Sequence, residues 1–453
     1  MRLDSLKRGL TMYKKNELDR KRISVICLLA VLIGASATVI AKILLLSIAF
    51  FTNLFWFHEL SLKSVELVNH HFSPVYILVP VLGGLIVGLM ARFGSQAIRG
   101  HGIPEVMENI LTKESKIPRR MTFLKPLSAA IAIGSGGPFG AEGPIIATGS
   151  SVGSWIGRHF YFSEYERKIL LATGAAAGMT AIFGTPMAAV FICIELLLFE
   201  FSGTSFIPVI IAVSTAYSIR LATGHTEAEF PIGQIQESIN SLNSLFYFAC
   251  GAISGAVACV VSKIVFYIED KFEHLPIHWM WWPMIGGAAV GVIGYFEPRT
   301  LGVGYSNIIT ALQGNMLLVP AITLLVLKFL SWSISLGSGT SGGTLAPLLT
   351  FGSSLGIILS YVGMHFFPEI GITAQVTALV CMSSMFSGAT RAILTSSVFA
   401  LEVTGAHFGI APLLLGNSAA FLFSLFFLKE TIMTEKISRR GIHVPKDYYS
   451  VRS

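Results

Sequence analysis

Charge is what this chain has least of. Asp, Glu, Lys and Arg make up 13% of its 453 residues, about half the ~25% usual in soluble domains. Length alone allows two or three soluble domains, but each would need a charged surface that this composition does not supply. Cysteine is also scarce. Cys27, Cys193, Cys250, Cys259 and Cys381 stand in apolar stretches, with no CxxC and no Cys/His spacing. That excludes a disulfide framework and a zinc site, and leaves small packing residues. No Walker A lysine follows a glycine loop, which argues against an ATP-driven pump. Gly149-Ser-Ser-Val-Gly153 matches GxSxG, but that motif needs a strand–turn–helix and here sits in a small-residue helical run. No metal site, catalytic group or cofactor is expected, and the chain does not read as an enzyme.

What is present is apolar. Hydrophobic residues are 53% of the chain, which predicts a polytopic α-helical membrane protein, all-α. Long apolar runs cover roughly 24–57, 74–91, 206–221, 243–267, 279–295, 317–336, 345–365 and 409–428, with pieces such as 124–133, 145–157, 169–182, 187–199 and 392–403 between them. A perpendicular span needs about 20 residues. The shorter pieces, interrupted by Gly and Pro, predict broken, tilted or re-entrant helices. Glycine is abundant, at 44 residues. It serves either close helix packing, as in Gly174-xxx-Gly178, Gly251-xxx-Gly255 and Gly287-xxx-Gly291, or deliberate helix breaks.

The formal surplus of +7 gathers at the ends: eight Lys/Arg against three acids in 1–22, six against three in 429–453. Such flanks stay cytoplasmic. Both termini are expected there, with an even number of crossings of a cell (inner) membrane. Each basic run is short and borders an apolar segment, so no nucleic-acid partner is expected. The organisation follows: a basic cytoplasmic segment 1–23, membrane repeat one 24–222, an inter-repeat loop 223–242, membrane repeat two 243–428 and a short cytoplasmic segment 429–453.

The repeat is visible without gaps. LKPLSAAIAIGSGGPFGAEGP (124–144) and LKFLSWSISLGSGTSGGTLAP (327–347) agree at ten of 21 positions at an offset of 203, including Lys125/Lys328, Gly140/Gly343 and Pro144/Pro347. Duplicated membrane halves are a transporter signature, and broken segments at matching places point to the substrate site. Each glycine loop leads into a helix beginning near a proline. A helix that starts inside a membrane presents free N–H groups and the positive end of its dipole, and so favours an anion. Gly100-His101-Gly102-Ile103-Pro104-Glu105 is a third such start. Partial charges hold chloride loosely enough to release it, where a full cation would not. Glu142 lies at the centre of the first loop, opposite Leu345 of the second. An ionisable residue at membrane depth is functional by default. Ionised, it can occupy an anion site; protonated, it can leave. The alternative is a helix cap. A cation pathway would want several carboxylates, and the two loops offer one.

With these residues in place, the chain resembles the CLC family of chloride channels and chloride/proton exchangers, over about 60–430. The resemblance rests on GHGIPE (100–105), GAEGP (140–144), FGTP (183–186), GGTLAP (342–347) and EVT (402–404). It implies two inverted-topology repeats, a homodimer in a lipid bilayer and one anion pathway per subunit. It makes Glu142 the gate and proton acceptor. It lines the pathway with the backbone of Gly140, Ala141, Gly143, Gly343, Thr344 and Leu345, and its inner side with His101, Gly102, Ile103, Pro104 and Met433. Lys125 could supply a positive field or be a paired structural lysine. Glu195 and Glu402 read as structural.

The departures carry expectations of their own. His101 stands where the family has a serine hydroxyl, Ala141 where it has arginine, Leu345 where it has phenylalanine, and Met433 where it has tyrosine. Losing two hydroxyls predicts a weak central anion site, unless the ring of His101 compensates. Leu196 stands where exchangers carry an internal proton-relay glutamate. That favours passive or loosely proton-coupled chloride conduction. The alternative is strict exchange, with protons moving by another route through Glu195, His101 or water.

Overall fold

The computed structural model describes residues 20–445, except 69, 71, 161, 234, 236–239, 407 and 408. Most of the basic N-terminal segment and the last eight residues lie outside that range. Among the described residues there is no strand, only two isolated bridges between loops. Repeat one contains α1 (Arg20–Thr52), α2 (Leu78–Phe93), α3 (Ile103–Thr112), α4 (Met121–Gly134), α5 (Glu142–His159), α6 (Glu164–Phe183), α7 (Pro186–Ile192) and α8 (Gly203–Ala222). Repeat two follows the same order with α9 (Ser241–Glu273), α10 (Trp282–Phe296), α11 (Tyr305–Leu312), α12 (Leu318–Gly337), α13 (Leu345–Phe366), α14 (Ala374–Thr390), α15 (Ile393–Thr404) and α16 (Ala411–Phe427). A short α17 (Glu435–Arg439) ends the described chain.

Helix lengths explain the broken runs. α1 and α9 have 33 residues each, about 50 Å at 1.5 Å per residue, so they cross a ~30 Å hydrocarbon layer obliquely. Among the described residues, six helices are long and apolar enough to cross a membrane. Helices α4, α15 and α16, with 14, 12 and 17 residues, are too short to cross perpendicularly, and the first two end or begin in loops within the protein. Backbone left unpaired in this way is tolerated only where protein or a cavity covers it.

The two repeats are related by a two-fold axis that the contacts reveal. A Cβ on Gly84 would lie 2.1 Å from the carbonyl oxygen of Pro283; one on Gly287 would lie 2.2 Å from that of Pro80. Gly84/Gly287 and Pro80/Pro283 are both separated by 203 positions. A contact whose mirror image is also made is the mark of two-fold packing, here between α2 and α10. Gly140 bridges to Gly343, its own repeat partner, antiparallel, so the axis passes through that pair. Small residues allow the helices to approach this closely: a Cβ on Gly251 would lie 2.1 Å from the Gly416 carbonyl oxygen, as expected from the Gly251-xxx-Gly255 spacing. The GxSxG match lies inside α5, with the Ser151 hydroxyl 2.6 Å from that of Thr122; no strand–turn–helix forms there.

Ion pairs place both ends of the described chain on one face. Arg22 pairs with Glu166 at 3.3 Å, neighbouring Arg167 with Glu114 at 3.3 Å, nearby Lys113 with Glu108 at 3.2 Å, and Arg440 with the same Glu108.

Candidate anion pathway

The site lies on the axis. The N–H of Gly343 donates to the carbonyl of Gly140 at 2.9 Å, and the return bond is 3.2 Å. This pair joins the loops that lead into α5 and α13. The GHG loop packs against them: Gly100 bridges to Ser341, and a Cβ on Gly102 would lie 2.2 Å from the carbonyl oxygen of Gly143. Gly140, Ala141, Gly143, Gly343, Thr344, Leu345, His101, Gly102, Ile103 and Pro104 are all buried. The structure therefore brings together the three loops singled out in the sequence. Pro144 and Pro347 stand third in α5 and α13, and Pro104 second in α3. At each start the first N–H groups have no intrahelical acceptor.

A fourth start was missed. Gly302-Val303-Gly304-Tyr305 repeats the spacing of Gly100-His101-Gly102-Ile103, shifted by one residue from the main offset. Gly102 and Gly304 cap α3 and α11 with φ of 97° and 74°, which only glycine adopts without strain. The lysines of the repeat belong to these two starts. The Lys125 ammonium donates to the carbonyls of Ile98 and Gly100, both at 2.8 Å; that of Lys328 donates to Gly302 at 3.0 Å and Val303 at 3.2 Å. Both lysines are buried and fasten the chain just before a helix start. Glu105 adds a clasp to the first, accepting from the Gly102 N–H at 2.6 Å.

Glu142 opens α5 and is wholly buried. Its carboxylate folds back into the cleft between the two paired loops. A Cβ on Gly140 would lie 1.6 Å from Oε2, and one on Gly343 2.8 Å from it. Glycine at both positions is the condition for the carboxylate to lodge there. Oε1 accepts from the Tyr305 hydroxyl at 2.9 Å, while Oε2 has no hydrogen-bond partner among the described residues. The backbone N–H groups of Glu142 and Ala346, at the starts of α5 and α13, also act on the carboxylate, so the seat is held by a phenol and two helix starts rather than by a full positive charge.

The other named residues fall around this centre. His101 is 4% exposed, and its Nδ1 is buried with no hydrogen-bond partner among the described residues; the charges acting most strongly on its ring are Glu105, Lys436 and Lys125. Met433 and Leu345 are buried in the central apolar cluster. Leu196 lies in a π-helical turn, Cys193–Leu198, and is also buried. Its neighbour Glu195 caps α15, accepting from the N–H of Leu394 (3.1 Å) and of Thr395 (2.9 Å). Glu402 caps α7, accepting from Met187 and Ala188 at 2.9 Å each. Each half thus caps a helix of the other.

Two cavities approach the centre from opposite faces. One, of about 430 Å³, opens on the face that carries the chain ends; Pro104 and Glu105 line its inner part. Its wall is charge-balanced, with Arg99, Lys113, Lys436 and Arg440 facing Glu105, Glu108, Glu269 and Glu273. The other, of about 520 Å³, lies toward the opposite face and is lined by Ala141 and Tyr305, with Lys42, Arg220, Glu66 and Glu229. Glu142 stands between them.

Inverted repeats whose helices break at a shared axis around a lone carboxylate define a membrane transport protein of the broken-helix class. Residues 82–425, more than half of the chain, match the family described as voltage gated chloride channel. The chain belongs to that family, and its architecture is that of the CLC proteins. The H(+)/Cl(-) exchange transporter ClcA of Yersinia pestis bv. Antiqua (strain Angola) is 29% identical over 396 residues, 84% of this chain and 82% of that protein. The transporter of the same name from Yersinia pseudotuberculosis serotype O:3 (strain YPIII) matches to the same extent. A slow cyanobacterial Cl-/H+ antiporter superposes with a TM-score of 0.80 at 21% identity, covering 94% of this chain and 99% of its own. A CLC-type fluoride/proton antiporter superposes with a TM-score of 0.74 at 21% identity, covering 91% and 98%. These relatives are described as exchangers, which weighs against the passive conduction read from Leu196.

Proposed function

We propose that the chain exchanges chloride for protons across a membrane, through one pathway per subunit gated by Glu142. The observation that carries this reading is the seat of the Glu142 carboxylate. A negative group lodged between two glycine loops, at helix starts that favour anions, occupies the place an anion would take. Its ionised form competes with chloride. Its protonated form does not, and carries a proton out of the site when it leaves. One residue thereby couples the two ions, and relatives named as exchangers support that coupling over passive conduction. Leu196 is apolar and cannot relay protons. In this reading protons reach the centre from the cavity at the chain-end face, past Glu105 and His101, whose Nδ1 has no partner among the described residues. Lys125 adds a positive field while it fastens the GHG loop. The chain-end face is cytoplasmic, as the basic flanks imply, and the protein works as a homodimer.

The test is flux in reconstituted liposomes. Glu142→Gln should carry chloride at a rate independent of pH and move no protons, because an amide neither competes as an anion nor takes up a proton. Unchanged pH dependence would remove Glu142 from the gate.

A further inference from the structure

We propose that the Tyr305 hydroxyl is a donor shared between gate and cargo: it holds the Glu142 carboxylate in the closed pathway and donates to the transported anion once Glu142 withdraws. This inference rests on Glu142 being the gate and adds a second residue to that site.

The hydroxyl is placed for both tasks. It is the only side-chain donor to the carboxylate among the described residues, at 2.9 Å from Oε1. The same phenol lines the cavity on the far face beside Ala141, so an anion arriving there meets it. The ring cannot follow Glu142 as it swings away. Phe230 and Phe183 pack on it with centroids 5.1 and 6.2 Å from its own, and Phe230 is pinned by a 2.8 Å bond from its N–H to the carbonyl of Val403. Below the ring, Lys328 fastens Gly302 and Val303. A fixed donor at a cleft vacated by one anion is left unpaired unless another takes its place, and that cost favours the cargo. The two inner positions where the resemblance expects hydroxyls are His101 and Met433. Neither offers a hydroxyl to an anion, whereas Tyr305, beside the gate, does. The charged group acting most directly on the pair is Glu229, held by Arg220 at 2.8 Å; Lys42, Glu66 and His225 line the same cavity, Lys328 lies behind Gly304, and Gly140 and Gly343 present backbone alone.

Tyr305→Phe keeps the ring and removes only the donor. Hydrogen bonds to charged groups are strong enough that their loss costs roughly ten-fold or more in an equilibrium. In liposomes, the pH of half-maximal chloride flux should rise by about one unit in Tyr305→Phe, because losing a donor to the ionised carboxylate favours its protonated form. In Glu142→Gln, where the anion holds the cleft, adding Tyr305→Phe should weaken chloride binding about ten-fold by calorimetry. An unshifted midpoint with unchanged affinity would overturn the role of Tyr305. If Glu142→Gln alone retained the wild-type pH dependence, the gate reading itself would fail; if it lost that dependence while Tyr305→Phe changed nothing, only this inference would fail. A measurement independent of Tyr305 variants is bromide scattering in crystals of Glu142→Gln. Bromide within hydrogen-bond distance of the Tyr305 oxygen is expected, and bromide out of its reach would overturn the proposal.

Discussion

At the scale of single residues, the centre is a carboxylate in a seat shaped for it. Glu142 was legible in the sequence because it is the one acid inside two matched glycine loops. The clearance at Gly140 and Gly343 was not legible, since it depends on both loops folding onto the same axis. The same clearance predicts that Gly140→Ala cannot keep the carboxylate seated: the added methyl would lie 1.6 Å from Oε2. Chloride flux in that variant should lose most of its pH dependence in a liposome assay, as in Glu142→Gln. Tyr305 escaped the sequence reading for a simple reason. Its GxG doublet repeats Gly100/Gly102 at an offset one residue short of the main repeat, so a gap-free comparison pairs Tyr305 with a glycine. His101 and Met433 carry a residue-scale expectation too. With no hydroxyl at either position, central anion density should be weak in a crystallographic bromide map, and His101→Ser with Met433→Tyr should strengthen it. Strong central occupancy in the unaltered protein would contradict the expectation.

At the scale of elements, the molecule is held where its helices stop. A broken helix inside a membrane exposes backbone groups that water cannot reach, and charged side chains serve them here. Lys125 and Lys328 take up carbonyls ahead of α3 and α11, while Glu195 and Glu402 take up N–H groups of α15 and α7. The sequence showed the lysines in register, yet left open whether they attract anions or brace the fold. Nothing linear says which carbonyl an ammonium will reach. The cross-capping was also hidden. Glu195 and Glu402 are 207 positions apart, because FSGATRAI (386–393) is four residues longer than the FGTP turn it replaces. Lys328→Met should leave two partly buried carbonyls without their donor and cost about 1–3 kcal/mol of stability. Thermal unfolding in detergent checks this. A variant as stable as the parent would mean that the loop is held by other contacts.

At the scale of the whole molecule, the offset of 203 was enough to foresee two repeated halves and a site between them, while their inversion was implied by the resemblance to the CLC family. Physical packing explains why the offset was so legible: Gly140 meets its own repeat partner Gly343, while Gly84 and Gly287 each meet the repeat partner's proline, Pro283 and Pro80, and these close approaches tolerate little but glycine. Coupling was the property least visible in the sequence. Leu196 suggests a chloride conductor when read alone, because the residue that usually relays protons is replaced. Coupling depends on every route by which a proton can reach Glu142, and such routes pass through cavities assembled from both halves. The cavity at the chain-end face reaches Glu105, close enough to act on His101, without involving Leu196.

The central claim is that one carboxylate ties chloride movement to proton movement. Proton movement driven by a chloride gradient in sealed liposomes tests it most directly. The account predicts that the unaltered protein drives protons uphill while chloride runs down its gradient, and that Glu142→Gln abolishes the proton signal while chloride flux persists. Chloride flux in the unaltered protein with no proton movement would contradict it.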